Sequence, residues 1–217
     1  MNEQKAESSE MQTEKAPIIE IIYMHKWFGE FHVLRGIDLT IQQKERIVIC
    51  GPSGSGKSTL MNLLGCLDTP TSREYFLNGV NVSTMTDGEL AGVRNKEIGF
   101  VFQTFLLIDS LTVYENIGIV NSFLTIKHVR SREQIFTAME NVGISHLSKK
   151  RPFELSHGEQ QRVAIARALM NSTELIIADE PTASIEAEQA ENIIRLLENC
   201  KRIYNTCVIV ASHDLRL

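Results

Sequence analysis

At 217 residues, 43% of them hydrophobic, the chain is long enough to bury one sizeable core with room for a small inserted subdomain, and too apolar to be disordered. A formal net charge of −5 disfavours nucleic acid or an anionic lipid surface as a partner of the whole chain. The four cysteines, Cys50, Cys66, Cys200 and Cys207, show no C-x-x-C spacing, which fits free thiols in a reducing, cytosolic compartment, with Cys50 and Cys207 acting as small hydrophobes inside apolar runs.

Residues 1–17, rich in Glu, Gln, Ser and Lys and without a secretory h-region, are expected to form a flexible polar tail. From Ile18 the character changes. Residues 18–24 read as a strand, and Ile37-Asp38-Leu39-Thr40-Ile41 alternates as a half-buried strand does. Ile47-Val48-Ile49-Cys50 is an apolar strand, and Asn78-Gly79 between short apolar runs signals a hairpin over 75–82. Together these predict a small antiparallel sheet around the start of the chain. A short helix at 87–95 and a strand at 98–102 follow, then helices at 112–125 and 131–142, the second opened by the capping box of Ser131 and Gln134 and stopped at Gly143. A helix at 159–170, the strand Leu175-Ile176-Ile177-Ala178, a long helix at 186–202 and a buried strand at 206–211 complete the chain. Alternating strands and helices after Gly51 predict an α/β fold with a mostly parallel sheet, into which about 103–170 is inserted as a helical block. The longest apolar runs, 98–102 and 207–211, are far short of the roughly 20 residues a spanning helix needs. Contact with a membrane is therefore expected through a partner.

The strand at 47–50 runs directly into Gly51-Pro52-Ser53-Gly54-Ser55-Gly56-Lys57-Ser58-Thr59, a G-x-x-x-x-G-K-[ST] loop followed by the helix-forming Leu60-Met61-Asn62-Leu63-Leu64. Its glycines let the backbone curl round a triphosphate, so that N–H groups of Gly51, Ser53, Gly54, Ser55, Gly56 and Thr59 and the positive helix end face the anion. Lys57 is expected to pair with the β- and γ-phosphates and Ser58 to hold Mg²⁺. The strand at 175–178 ends in Asp179-Glu180, at the sheet edge where nucleotide sites of this architecture gather. Asp179 would serve the metal, and Glu180 would orient and polarise the attacking water. Taken alone, an Asp-Glu pair at a strand end is a solvated acidic edge; the phosphate loop upstream gives it a task.

Leu155-Ser156-His157-Gly158-Glu159-Gln160-Gln161-Arg162 is the most discriminating stretch. On its own, Ser156 with Glu159 is a capping box, and a Ser and a Gly at a helix start also make an anion site. With Val163-Ala164-Ile165-Ala166-Arg167-Ala168 behind it, the stretch resembles the Leu-Ser-Gly-Gly-Gln signature of the ATP-binding-cassette (ABC) transporter ATPases. The resemblance extends over nearly the whole chain from Ile18. It implies a P-loop NTPase core that binds ATP and Mg²⁺. Phe28, in Lys26-Trp27-Phe28-Gly29, matches the aromatic on which the family stacks adenine, with Trp27 a less favoured substitute; Gln103 matches the glutamine that reaches Mg²⁺; His213 matches the switch histidine at the γ-phosphate. The other histidines, 25, 32, 128 and 146, have no ligand spacing and read as surface or packing residues. Ser156, Gly158 and Glu159 would complete the site on a second copy, sandwiching two ATP molecules in a head-to-tail dimer that drives an integral membrane subunit from the cytoplasmic face. A soluble P-loop kinase or GTPase fails because neither needs the 155–167 stretch.

Within the family, residues 30–39 and 46–50 look like ATPases of polar amino-acid uptake systems. Residues 61–72, 99–103, 111–116 and 178–182 look like the macrolide-export and lipoprotein-release branch, which covers more of the chain. The departures are specific. Lys44 and Arg73 stand where turn glycines are expected, at about 1 kcal/mol each if the backbone is unchanged. His157 replaces the first signature glycine, where backbone would meet phosphate across the dimer, and Ala183-Ser184-Ile185-Glu186 replaces the usual Ser-Ala-Leu-Asp. These suggest a second reading, a slow-cycling regulatory module bound to a membrane partner. The chain stops at Leu217, where the family usually continues, so the strand at 206–211 is expected to pack less securely than its relatives do.

Overall fold

The computed structural model describes residues 16–120, 130–171 and 173–213. In chain order the elements are β1 (Ile19–Phe28), β2 (Phe31–Ile41), β3 (Arg46–Cys50), α1 (Lys57–Leu64), β4 (Ser72–Leu77), β5 (Val80–Asn81), α2 (Asp87–Glu97), β6 (Ile98–Val101), α3 (Val113–Gly118), α4 (Arg132–Asn141), α5 (His157–Leu169), β7 (Leu175–Asp179), α6 (Ala187–Tyr204) and β8 (Cys207–Ser212). They build two four-stranded sheets, one antiparallel in the order β2-β1-β4-β5 and one wholly parallel in the order β3-β8-β7-β6.

The most apolar runs occupy the two interior strands of the parallel sheet. Ile176, Ala178, Val208 and Val210 face a cluster with the buried sides of α3, α4, α5 and α6, while Leu175, Ile177, Cys207, Ile209 and Ala211 face a second cluster with α1 and the antiparallel sheet. A strand covered on both faces has no polar side, which is why these segments read as unbroken apolar runs. Helices α3, α4 and α5 each open on a capping box, Thr112 with Glu115, Ser131 with Gln134 and Ser156 with Glu159. Asn78 and Gly79, at φ 50° and 75°, form the two-residue turn between β4 and β5 that the sequence signals.

Several expectations change. Strand β1 continues past 24 to Phe28, through a register irregularity at Tyr23, whose φ is 49°. Lys44 does occupy a left-handed turn position, at φ 66°, but residue 73 lies within extended β4, so only the first of the two lost glycines strains the backbone. Cys50 is exposed at the end of β3 instead of buried. Strand β8 is fully buried between β3 and β7. The helix expected at 112–125 is α3 as far as Gly118; residues 121–125 of it, His128 and residues 1–15 of the tail lie outside the described residues. Among the described residues no helix is long and apolar enough to cross a membrane.

Candidate active site

All four parallel strands deliver a polar residue at their carboxyl ends. Strand β3 leads to the glycine-rich loop, β6 to Gln103, β7 to Asp179-Glu180 and β8 to His213, and the register places Cys50 beside Ser212 and Asp179 beside Ala211. These ends surround a cavity of about 520 Å³. Ser53, Gly54 and residues 56–59 form one wall, with Gln103, Glu180 and His213 opposite. Gly51 and Ser55 are not in the lining, and the Ser55 hydroxyl packs where a Cβ on Gly51 would sit, at 2.9 Å.

Gly56 is the N-cap of α1, at φ 95° and ψ 7°, with no side-chain cap. A Cβ there would be strained and would lie 3.2 Å from Leu34, so only glycine brings the loop this close to β2. The first turn of α1 carries no acidic residue, so no charge of the helix itself offsets its positive end at the cavity. Lys57, its first residue, donates from Nζ to the carbonyls of Gly51 at 2.8 Å and Pro52 at 3.1 Å and stands 3.8 Å from the Glu180 carboxylate.

Asp179 and Glu180 differ in surroundings. Asp179 is half-buried, and loss of hydration pushes its carboxyl above the usual range; the neighbouring Glu180 charge adds to this, while a hydrogen bond from Ser58 and the Lys57 charge oppose it. Its Oδ1 is enclosed and has no hydrogen-bond partner. A buried oxygen without a donor, next to the Ser58 hydroxyl, is the chemistry of a hard-cation site. Glu180 takes a left-handed backbone, φ 47°, its N–H donating to Ala211 O at 2.9 Å. This bend turns its carboxylate onto His213, whose backbone N–H and ring Nδ1 lie 3.4 and 2.8 Å from Oε2. The pair spans β7 and β8, and its carboxylate is 15% exposed against 64% for the ring.

The signature residues lie apart. Ser156, Gly158 and Glu159 line a separate recess of about 200 Å³ with Arg162, Gln189 and Asn192. The Ser156 hydroxyl accepts from Glu159 N–H at 3.3 Å, while Ser156 N–H and its hydroxyl both donate to Glu159 Oε2, at 2.7 and 2.8 Å. Those bonds, the backbone one first, hold the Glu159 carboxyl below its usual range. Gly158 is packed so that a Cβ would meet Gln189 Oε1 at 2.6 Å. The His157 ring is anchored on its own chain, against Phe105 and Ser184.

The two candidate aromatics have different surroundings. Trp27 stacks on its cross-strand partner His32, rings 3.8 Å apart and 8° from parallel, and His32 Nε2 is 2.8 Å from His25 Nδ1. Phe28 pairs with Phe31 on the opposite face, the face of Val33, which lines the phosphate cavity. Phe28 is 49% exposed, lies outside the cavity lining itself, and carries Lys26 Nζ 4.9 Å from its ring centre. Sequence reasoning missed Val33 and Ala183, which also line the cavity, and Arg167, whose guanidinium donates to Phe105 O and Leu106 O at 2.7 and 2.5 Å and so shapes the loop after Gln103. Nothing in the types of Val33 and Ala183 marks them, whereas Arg167 is a cation on an otherwise apolar stretch of α5.

Known proteins with this arrangement are numerous. The family described as "ABC transporter" matches residues 34–183. The ABC transporter ATP-binding protein YvrO of Bacillus subtilis is 44% identical over 185 residues, which cover 85% of this chain and 80% of that one. The lipoprotein-releasing system ATP-binding protein LolD of Psychrobacter arcticus is 42% identical, covering 85% and 82%. The macrolide export ATP-binding/permease protein MacB of Marinobacter nauticus is also 42% identical, covering 91% of this chain but only 31% of that longer protein. Among solved structures, the dimeric ABC transporter cassette MJ0796 superposes with a TM-score of 0.81 at 35% identity, covering 91% and 89% of the two chains, and the same cassette has been solved as a post-hydrolysis dimer bound to ADP and Pi. The chain thus belongs to the ABC transporter family, as one of its ATPase subunits.

Proposed function

We propose that this chain binds MgATP between two head-to-tail copies of itself and hydrolyses it to drive a separate integral membrane subunit. The carrying observation is the separation of the cavity from the signature recess: Lys57, Gln103, Glu180 and His213 share one, Ser156 and Gly158 the other. A second copy supplies the missing helix end, and loss of the γ-phosphate releases it.

Residues 18–217 act as one nucleotide-binding domain behind the 1–17 tail, with 103–170 as its helical subdomain. Ser53, Gly54, Gly56 and Thr59 cradle the phosphates with Gly51 and Ser55 packed behind them to shape the loop, Lys57 pairs with the β- and γ-groups, and Phe28 stacks the adenine. Ser58, Gln103 and Asp179 hold Mg²⁺, which supplies charge neutralisation when bound; the enclosed Asp179 oxygen fits that role. Glu180 orients the attacking water while His213, fixed by Glu180 at 2.8 Å, reaches the γ-phosphate. Glu159 serves the second copy by fixing the Ser156 cap.

A cleft of about 720 Å³ supports a membrane partner. Leu67, Phe100, Leu106, Ile119 and Val120 give it an apolar lining beside Arg94, and it borders the loop after Gln103. An apolar segment of the membrane subunit seated there would sense nucleotide state through that loop and keep the cassette on the inner face of the membrane. Relatives named for macrolide export, pyoverdine export and lipoprotein release support export or lipid extraction over polar amino-acid uptake.

Glu180→Gln tests the chemistry. The variant is expected to keep ATP binding, lose turnover by about 10²-fold or more, and elute as a dimer with MgATP. Unchanged turnover removes Glu180 from its role.

A further inference from the structure

We propose that His157 is a positioning residue that ties the start of α5 to the two loops walling the nucleotide cavity. Its Nδ1 lies 3.2 Å from the carbonyl oxygen of Ser184. A carbonyl only accepts, so Nδ1 carries the hydrogen, as the imidazolium or as the neutral Nδ1–H tautomer. Ser184 belongs to the turn that follows the carboxylates, closed by Ala183 N–H to Glu180 O and Ile185 N–H to Thr182 O, both 3.2 Å. Ala183 and Glu180 line the cavity. A grip on Ser184 is therefore a grip on the backbone that aims the Glu180 carboxylate.

The ring makes a second contact, tilted 41° against Phe105 at 5.9 Å between centroids. Phe105 lies two residues beyond Gln103 in a left-handed backbone, φ 59°, and its carbonyl is already held by Arg167 of the same helix. Both cavity loops are thus joined to α5, one through a hydrogen bond and one through a ring. The two departures from the family pattern, His157 and the 183–186 stretch, meet each other in space. Where the family has glycine, no side chain bridges these loops. A shift of α5 on docking with a second copy is carried to Glu180 and Gln103 together.

The proposal rests on the dimeric ATPase reading, and three full-length variants test it. His157→Asn keeps an N–H donor at the same reach and loses the ring, His157→Phe keeps the ring and loses the donor, and His157→Gly loses both. Phe and Gly are expected to lower kcat for MgATP about three- to tenfold, the range one hydrogen bond spans, with KM within about twofold; Asn loses only the tilted ring contact, on a loop that Arg167 also holds, and keeps kcat within about twofold of the parent. Backbone hydrogen exchange over 182–186 should quicken in Phe and Gly but not in Asn, and this readout stands even in a preparation with no turnover. Asn behaving like Phe in both measurements, or Phe and Gly matching or exceeding the parent, overturns the proposal. A parent without ATPase activity that still shows the exchange pattern counts against the ATPase reading and leaves the tie established.

Discussion

Asp179→Asn is expected to make the protein more stable alone and less stable with MgATP. The parent holds a half-buried carboxylate whose Oδ1 has no donor and whose neighbour is the Glu180 charge. The amide still leaves one polar atom unpaired there but removes the half-buried charge, and once partial exposure, the Ser58 hydrogen bond and the Lys57 charge are discounted it should recover about 1 kcal/mol. For a domain of this size that is a rise of about 2–4 °C in Tm. Because the folded carboxyl is raised above its ordinary value of 3.8, the folded state binds more protons through that window, and stability falls as pH rises across it; the penalty is complete above the folded pKa. The gain from Asn should therefore be full near neutral pH and fade as acid protonates the parent. With MgATP at about 100 times Kd the parent gains about 2.7 kcal/mol by linkage, and the variant, lacking a metal oxygen, gains less. Scanning calorimetry of both chains, with EDTA and with MgATP, checks the crossing. A variant that melts below the parent in EDTA, or gains equally from MgATP, refutes the reasoning.

Two further perturbations isolate other parts. Trp27 is the single tryptophan and lies on His32, whose imidazole is pulled below its ordinary 6.5 by lost hydration first and then by His25 and Arg35; fluorescence should be quenched by a protonation with a midpoint under that value, and His32→Phe should abolish the transition. Stability tied to neutral His32 is lost as pH falls from 6.5 through the lowered value, and a midpoint above 6.5 would contradict the stack. Arg167→Met keeps the apolar stem but strips two charge-assisted bonds from Phe105 O and Leu106 O, expected to cost about 2 kcal/mol after discounting for exposure at Leu106. A loss under about 0.5 kcal/mol in urea unfolding would show that the loop after Gln103 holds without it.

What the sequence made legible follows burial. Strands β7 and β8 are apolar throughout because both faces are covered, and the capping boxes before α4 and α5 need only residues three positions apart. The end of β1 was hidden because Tyr23 breaks the alternation with φ 49° and the continuation through His25 and Lys26 is polar; its partner, β2, supplies the pairing that no local pattern records. Residue 73 looked like a turn because a glycine was expected there, yet β1 pairs with β4 and holds it extended. The burial of β8 has the same origin, since a strand hydrogen-bonded on both edges is placed by β3 and β7 and not by any local pattern.

The candidate site residues were legible through their order along the chain after the phosphate loop; what they touch was not. The capping box at α5 shows why this matters for turnover. On the proposed function, Glu159 puts a negative charge at a helix start that would receive a phosphate, an unfavourable pairing if the carboxylate were free. Its oxygen is instead committed to Ser156 N–H and hydroxyl, and those bonds hold it ionised. The N–H groups of His157 and Gly158, the first of α5, have no intrahelical acceptor, though Gly158 is itself buried. With the His157 ring drawn aside onto Ser184 and Phe105, the bulk introduced at the lost glycine is displaced from that helix end. The substitution that looked like an obstruction therefore adds a contact to the loop that follows Glu180, and on the function proposed above it is compatible with a working motor.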